Sequence, residues 1–179
     1  MKEGRFSRRA FMLKNGQVEM SFGMIFSIIL IVVFFAFAFY AIKTFLKIND
    51  SAQSGQFISD LQSDIDGIWR SVEGSQEKEY SLSAKIERVC FVDFDPDIGR
   101  RGKDMNIYPE LSRIYHGNEN LVFYPVGSSD VGSARIENIN IVEITLEENP
   151  FCIDNLKGVQ IKLIKNSDEA LVRIERQGN

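Results

Sequence analysis

The sequence predicts an α+β protein: a long N-terminal transmembrane and amphipathic helix followed by a small antiparallel β-rich domain. Three observations support this fold class. A charge-free apolar run covers Met20–Ile42, and an amphipathic period continues from it to Val72. Beyond Glu73 the apolar residues fall in short runs that are rich in β-branched and aromatic types.

The apolar run has the length of a membrane span. As a helix, Met20–Ile42 extends about 35 Å, which exceeds the roughly 30 Å hydrocarbon core of a bilayer. Residues 1–19 are basic and carry Lys2, Arg5, Arg8, Arg9 and Lys14 against Glu3 and Glu19. Because positive flanks resist translocation, we expect a single-pass protein of the cell membrane with a cytoplasmic N-terminus and an extracellular C-terminal domain.

These patterns divide the chain into four segments. Residues 1–19 form a basic leader, 20–46 the transmembrane helix, 47–73 an amphipathic helical stalk, and 74–179 the β-rich domain. The apolar residues of the stalk recur mostly every three or four positions. They are Phe45, Ile48, Ala52, Ile58, Leu61, Ile65, Ile68, Trp69 and Val72. We expect this stripe to pack on the domain, with Ser51–Gly55 as the weakest helical stretch.

Strands are predicted at Ile86–Phe94, Leu121–Val126, Ile139–Leu146 and Val159–Leu163. A turn at Asn166–Glu169 leads into a further strand at Leu171–Ile174, and a short helix is expected at Pro109–Tyr115. Strands with few helices between them favour an antiparallel sheet.

Composition and cysteine content limit the function. The formal net charge is −4, and the basic residues near the N-terminus leave an acidic remainder, so we expect no nucleic-acid partner. Cys90 and Cys152 lie on the expected extracellular side in strand-like contexts. They form either a disulfide or two buried thiols. With two isolated cysteines and one histidine, we expect no metal site and no cofactor.

No catalytic residues are predicted, and we do not expect an enzyme. The acidic stretch Asp93–Asp97 resembles a calcium loop, but Ile98 occupies the position of the required glycine. It is also similar to the Asp-x-Asp motif of haloacid dehalogenase-type phosphotransferases, although Asp97 replaces that family's hydroxyl residue. We interpret it as a charged loop. His116 lacks a triad spacing and Gly127–Gly132 lacks a phosphate-loop lysine, so both are expected to be ordinary surface features.

Near the end of residues 1–19 lies the dipeptide Gly16-Gln17, and Lys14 stands two residues before Gly16. This region resembles the class III signal peptide of archaeal type IV pilin-like proteins, in which a prepilin peptidase cuts between Gly and Gln. The resemblance implies that Gly16 and Gln17 form the processing site and that the apolar helix stays on the mature chain and drives self-assembly. Asn15 stands where that family usually has a basic residue, and Glu19 lies at the third mature position rather than the fifth, where Ser21 stands. Glu19 is the candidate subunit contact, pairing with a neighbour's freed amine.

Two other interpretations of the apolar run are open. One is an uncut anchor, and the other is a secretory signal peptide cut after Ala36-Phe37-Ala38. On the resemblance to a class III signal peptide, we expect a pilin-like filament or surface-structure subunit. The alternative is an unprocessed, membrane-anchored extracellular binding or accessory domain.

Overall fold

The computed structural model describes residues 22–177 and shows the predicted α+β arrangement. A long N-terminal helix is followed by a domain built from two antiparallel sheets. The chain divides into two compact units, one ending at Lys43 and the other beginning at Thr44. The helix α1 extends over Phe22–Trp69, 48 residues, and continues through Gly55 without a break.

The first sheet has the strand order β1-β6-β7, with both pairs antiparallel. Its strands are β1 (Gly74–Tyr80), β6 (Val159–Lys165) and β7 (Arg173–Arg176). The central strand β6 alternates buried and more exposed residues, and it buries Val159, Ile161 and Leu163. One face of this sheet therefore contributes to the core.

The second sheet has the order β4-β3-β2-β5 and is also antiparallel. Its strands are β2 (Arg88–Phe91), β3 (Leu121–Tyr124), β4 (Ser133–Ala134) and β5 (Phe151–Asp154). Two short helices complete the domain, α2 (Tyr108–Ile114) and α3 (Ile141–Ile144).

Residues 44–69 of α1 are held by a stripe of side chains that is buried in the domain. Phe57, Leu61 and Ile65 are almost fully buried and Ile68 is 7% exposed. Their spacing of four, four and three residues places them on one helical face. The ring of Phe57 lies edge-on to Tyr80 of the first sheet and to Phe123 of the second, with centroids 5.3 and 5.7 Å apart. The helix therefore closes a core that both sheets share.

The predicted stripe was only partly right. Phe45, Ile48, Trp69 and Val72 are exposed, and Phe57, which was not assigned to the stripe, is central to it. The helix ends at Trp69 rather than Val72. The end of the helix is capped from β6: the buried Lys165 Nζ donates to the carbonyl of Trp69, the last helical residue, at 3.1 Å and to that of Ser71, just beyond it, at 2.6 Å. A cation at a helix C-terminus is favourable because of the helix dipole.

The outer face of the second sheet carries a disulfide, which is one of the two alternatives that the sequence left open for the cysteines. Cys90 of β2 and Cys152 of β5 are register partners and are bonded to each other. With Val92, Val122 and Leu111 of α2 they form a second, smaller core. Since side chains alternate along a strand, β2 supplies Val89 and Phe91 to one core and Cys90 to the other.

The predictions for the shorter helices and strands were partly confirmed and partly wrong. The helix expected at Pro109–Tyr115 is confirmed as α2, whereas the strand expected at Ile139–Leu146 is wrong. That segment forms α3, because the Asn140 side chain accepts a hydrogen bond from the Glu143 amide and so caps a helical turn. The strand β1 was not predicted, since it is polar except for Tyr80 and lies at a sheet edge.

We expect the substitution Leu61→Ala to lower the free energy of unfolding by about 2–5 kcal/mol, because it removes a fully buried side chain between helix and sheets. Urea unfolding of the full chain in detergent micelles, followed by the fluorescence of Trp69, its single tryptophan, measures this loss. The control Ser63→Ala on the exposed face of the same helix should change stability by less than about 0.5 kcal/mol. Equal effects of the two substitutions would contradict the packing described above.

The Cys90→Ala/Cys152→Ala double variant should lose about 4 kcal/mol on the chain-entropy model, because the disulfide closes a loop with a sequence separation of 62. The same unfolding experiment checks it. A reductant should lower the unfolding midpoint of the unmodified chain and leave that of the double variant unchanged. If neither the double substitution nor the reductant changed the unfolding midpoint, the disulfide would add no stability.

Candidate functional site

The first half of α1 is an apolar helix whose side chains are exposed. Residues 22–42 contain no Asp, Glu, Lys or Arg and extend about 31 Å as a helix. The large side chains of this stretch are all at least 41% exposed, including Phe34 and Phe35 at 70% and 71%. By length and composition this is one helix able to cross a membrane.

One hydroxyl group of this segment has a local partner. Ser27 Oγ donates to the carbonyl of Gly23 at 2.8 Å, which lets a hydroxyl lie within an apolar environment. The first charged side chain of the described helix is Lys43, whose Nζ lies 5.8 Å from the centroid of the Phe39 ring. The segment is therefore an apolar helix whose first charged side chain lies at its C-terminal end.

Where α1 enters the domain, polar contacts hold it to two loops. Asp50 accepts a hydrogen bond from Ser83 Oγ at 2.8 Å and forms an ion pair with Lys85. Ser51 Oγ donates to Asp130 at 2.8 Å, and the buried Ser54 accepts from Ser129 Oγ at 2.7 Å. We call this region the proximal face. It comprises residues 50–54 of α1 and the loops 81–85, 127–131 and 155–158.

The charge of Asp50 is stabilised in this position. The hydrogen bond from Lys85, and then that from Ser83, hold the pKa of Asp50 below its ordinary value of 3.8.

The glycine-rich loop Gly127–Gly132 has a structural role, since its Ser129 and Asp130 hold the helix through hydrogen bonds to Ser54 and Ser51. Sequence reasoning missed this contact, because Ser54 is a polar residue outside the predicted apolar stripe.

A groove of about 870 Å³ lies elsewhere on the domain and contains charged side chains of both signs. Its lining includes Asp93, Asp95, His116, Glu119 and Arg135. Tyr115 borders it, and burial, with a further contribution from Glu119, raises the pKa of that phenol. The groove therefore offers carboxylates, one guanidinium and one imidazole to a ligand.

The acidic stretch beside this groove is organised by its own backbone. Asp93 Oδ1 accepts from the Asp95 amide at 2.9 Å, and Asp95 Oδ1 accepts from the Asp97 amide at 3.0 Å. The buried Asn149 accepts from the Asp93 amide and donates to the carbonyls of Asp93 and Gly99. These contacts match a charged loop that is partly neutralised by local hydrogen bonds.

The other sequence candidates are not brought together in a catalytic arrangement. Ser112 Oγ donates to the carbonyl of Pro109 rather than to His116. Within residues 22–177, no group of three or more His, Cys, Asp or Glu side chains is arranged to hold a metal ion. Gly16, Gln17 and Glu19 lie outside the described residues, so the processing site and the subunit contact stay predictions.

Comparison with known proteins gives no relative. No family model, curated protein or solved structure matches the chain.

We expect acid to weaken the proximal face. Because the pKa of Asp50 is lower in the folded than in the unfolded chain, its contribution to stability is present above the unfolded value and is lost as the pH falls below about 4. The stability difference between the unmodified chain and Asp50→Asn should therefore shrink between about pH 5 and pH 2.

Urea unfolding at each pH measures that difference. The matched variant Lys85→Gln removes the main partner of Asp50, so it should reduce the same acid dependence. If Asp50→Asn left the acid profile unchanged, the ion pair would have no role in folding.

Proposed function

We propose that the chain is a single-pass membrane protein that holds its β domain outside the cell. The main support is the apolar half of α1, which is long enough to cross a bilayer and whose large side chains are exposed. In water such a surface is costly, because exposed apolar area of this extent favours association or a lipid environment. The hydrocarbon core of a bilayer would cover these apolar side chains along the whole length of the segment.

Two observations favour a cytoplasmic N-terminus. The basic residues of the leader, which include Arg8 and Arg9, lie on one side of the proposed span. On the other side lies the Cys90–Cys152 disulfide, which is typical of an oxidising compartment. Both features are consistent with an extracellular domain.

We further propose that the chain is a subunit of a type IV pilin-like filament or related surface structure. The leader resembles a class III signal peptide, and one helix supplies both the proposed span and the stripe that packs on the antiparallel sheets. In this proposal a prepilin peptidase cuts between Gly16 and Gln17. The retained helix then packs against copies of itself, and the β domain faces outward.

The alternative is an unprocessed, membrane-anchored binding or accessory domain. The observation that favours it is the groove near Asp93 and Glu119, which is large enough to hold a small ligand. The two proposals differ in the fate of the leader and in whether the chain polymerises.

The intact mass of the chain isolated from its native membrane tests the processing step. We expect a mature protein that begins at Gln17, because the bond before it is the predicted cleavage point. A chain that begins at Met1 would overturn processing and favour the anchored binding domain. A chain that begins at Phe39 would mean secretion and would overturn the membrane proposal.

The substitution Gly16→Val should block this cleavage and leave the full-length mass in the membrane. Gly4→Val is the matched control, since it alters a glycine of the same leader away from the cleavage point. Electron microscopy of the same membranes should show ordered polymers that contain the unmodified chain, and only dispersed chains for Gly16→Val. If the unmodified chain and Gly16→Val formed polymers equally, assembly would not require cleavage of the leader.

A further inference from the structure

The groove of about 870 Å³ lies at an edge of the second sheet where three neighbouring strands begin or end. Strand β2 ends at Phe91, β3 begins at Leu121 and β4 ends at Ala134, and these three residues are register partners across the sheet. The segments that adjoin these ends therefore meet at one edge. Residues 92–96, 115–120 and 135–139 supply most of the groove's lining.

Hydrogen bonds within its walls fix the shape of the groove. The Asn120 side chain donates to the carbonyl of Ile136 at 2.8 Å and accepts from the Ile136 amide at 2.7 Å. Two residues further on, Asn138 donates to Asp66 of α1 at 2.9 Å. The segment 135–139 is thus held at two points, and the groove is preformed, as small-molecule sites usually are.

The carboxylates of the groove are not neutralised by neighbouring cations. Four carboxylates line it, those of Asp93, Asp95, Glu119 and Glu137. None of them forms an ion pair with a residue among 22–177. The one guanidinium of the lining belongs to the exposed Arg135, and its Nη1 donates to the carbonyl of Asn118 at 3.4 Å. A cleft with this excess of negative charge concentrates cations.

Glu119 is the carboxylate whose surroundings most favour a bound donor. It is partly buried, and its Oε2 is shielded from solvent and accepts no hydrogen bond from any residue among 22–177. The carboxylate lies against Gly117, where a Cβ atom would come within 2.6 Å of Oε2. A carboxylate oxygen that is kept from water and has no donor is costly, so a charged N–H group that reaches Glu119 is stabilising.

The arrangement of the groove indicates which class of cation it suits. Within the described part of the chain, no three acidic, histidine or cysteine side chains converge as the ligands of one metal ion do. The lining also contains apolar side chains, those of Val92, Ile136, Ile139, Ile141 and Leu171. An alkyl chain with ammonium groups spaced along it matches both features, because its methylenes contact apolar surface while its charges reach separate carboxylates.

We propose that the groove binds a linear polyamine, with one ammonium group donating to Glu119 and the others pairing with the remaining carboxylates of the lining. The inference goes beyond the membrane and filament proposals. Every lining residue lies in the unit that begins at Thr44, so the binding requires neither the membrane span nor the processing of the leader. Its failure would therefore leave those proposals as they stand.

The single histidine of the chain is a local reporter of this binding, because His116 lines the groove. We would label the histidine ring of the full chain with carbon-13, keep the chain in nonionic detergent micelles at neutral pH and low salt, and titrate spermidine. We expect a saturable shift of the His116 ring resonance, with an affinity that falls as salt is added. Propylamine, which carries one ammonium group, should bind at least about tenfold more weakly, because it reaches fewer carboxylates.

Two substitutions should change the affinity for spermidine in opposite directions. Glu119→Gln removes one carboxylate at nearly constant size and should weaken binding roughly tenfold. Arg135→Gln removes the guanidinium from the lining and should strengthen binding roughly two- to threefold. Glu87→Gln is the matched control, because it removes an exposed carboxylate that precedes the other end of β2, and it should change the affinity less than about twofold.

Three results would overturn the proposal. If magnesium ions shift the His116 resonance with the same affinity as spermidine, the groove only collects counterions. If tetralysine binds and spermidine does not, the groove suits a basic protein segment rather than a polyamine. If Glu119→Gln and Glu87→Gln bind spermidine equally well, Glu119 is not the contact.

Urea unfolding of each variant, followed by the fluorescence of Trp69, checks that a loss of binding is not a loss of structure. Arg135→Gln keeps the test decisive if Glu119→Gln is unstable, because Arg135 is exposed and its removal leaves all four carboxylates in place. An affinity that Arg135→Gln lowered would contradict a cationic ligand.

Discussion

The burial of one helical face against two sheets is the constraint on which the domain depends. Phe57, Leu61 and Ile65 lie between sheets that are each too small to bury their own apolar faces. The helix contributes to the single core that a three-stranded and a four-stranded sheet share. The helix, in turn, gains its stability after Asp50 from this packing rather than from its polar sequence.

The same helix carries two different kinds of surface along its length. In residues 22–42 apolar side chains point in all directions, which suits an apolar solvent. In residues 54–68 they are confined to one face, and residues such as Asp60 and Ser63 occupy the exposed side. This change of pattern supports a span followed by a packed stalk, and it is visible in the sequence without any relative for comparison.

The sequence predicted the elements that have a strong period and missed those set by tertiary contacts. The long helix follows from the apolar run and the spacing that continues it, whereas the two cysteines left a disulfide and two buried thiols as alternatives. The strand β1 could not be predicted, because Gly74–Glu79 is polar and becomes a strand only by pairing with β6. The apolar alternation at Ile139–Leu146 indicated a strand, yet the cap from Asn140 and the burial of Ile144 favour a helical turn. The proximal face was also missed, since its contacts join residues more than 30 positions apart.

Polar contacts at both ends of the buried stretch add to the apolar packing in fixing where the helix lies along its axis. A shift of one turn, about 5.4 Å, would already displace the ring of Phe57 from Tyr80 and Phe123. Such a shift would separate Asp50 from Ser83 at one end and the Trp69 carbonyl from Lys165 at the other. Because both pairs must form together, a single axial position satisfies them.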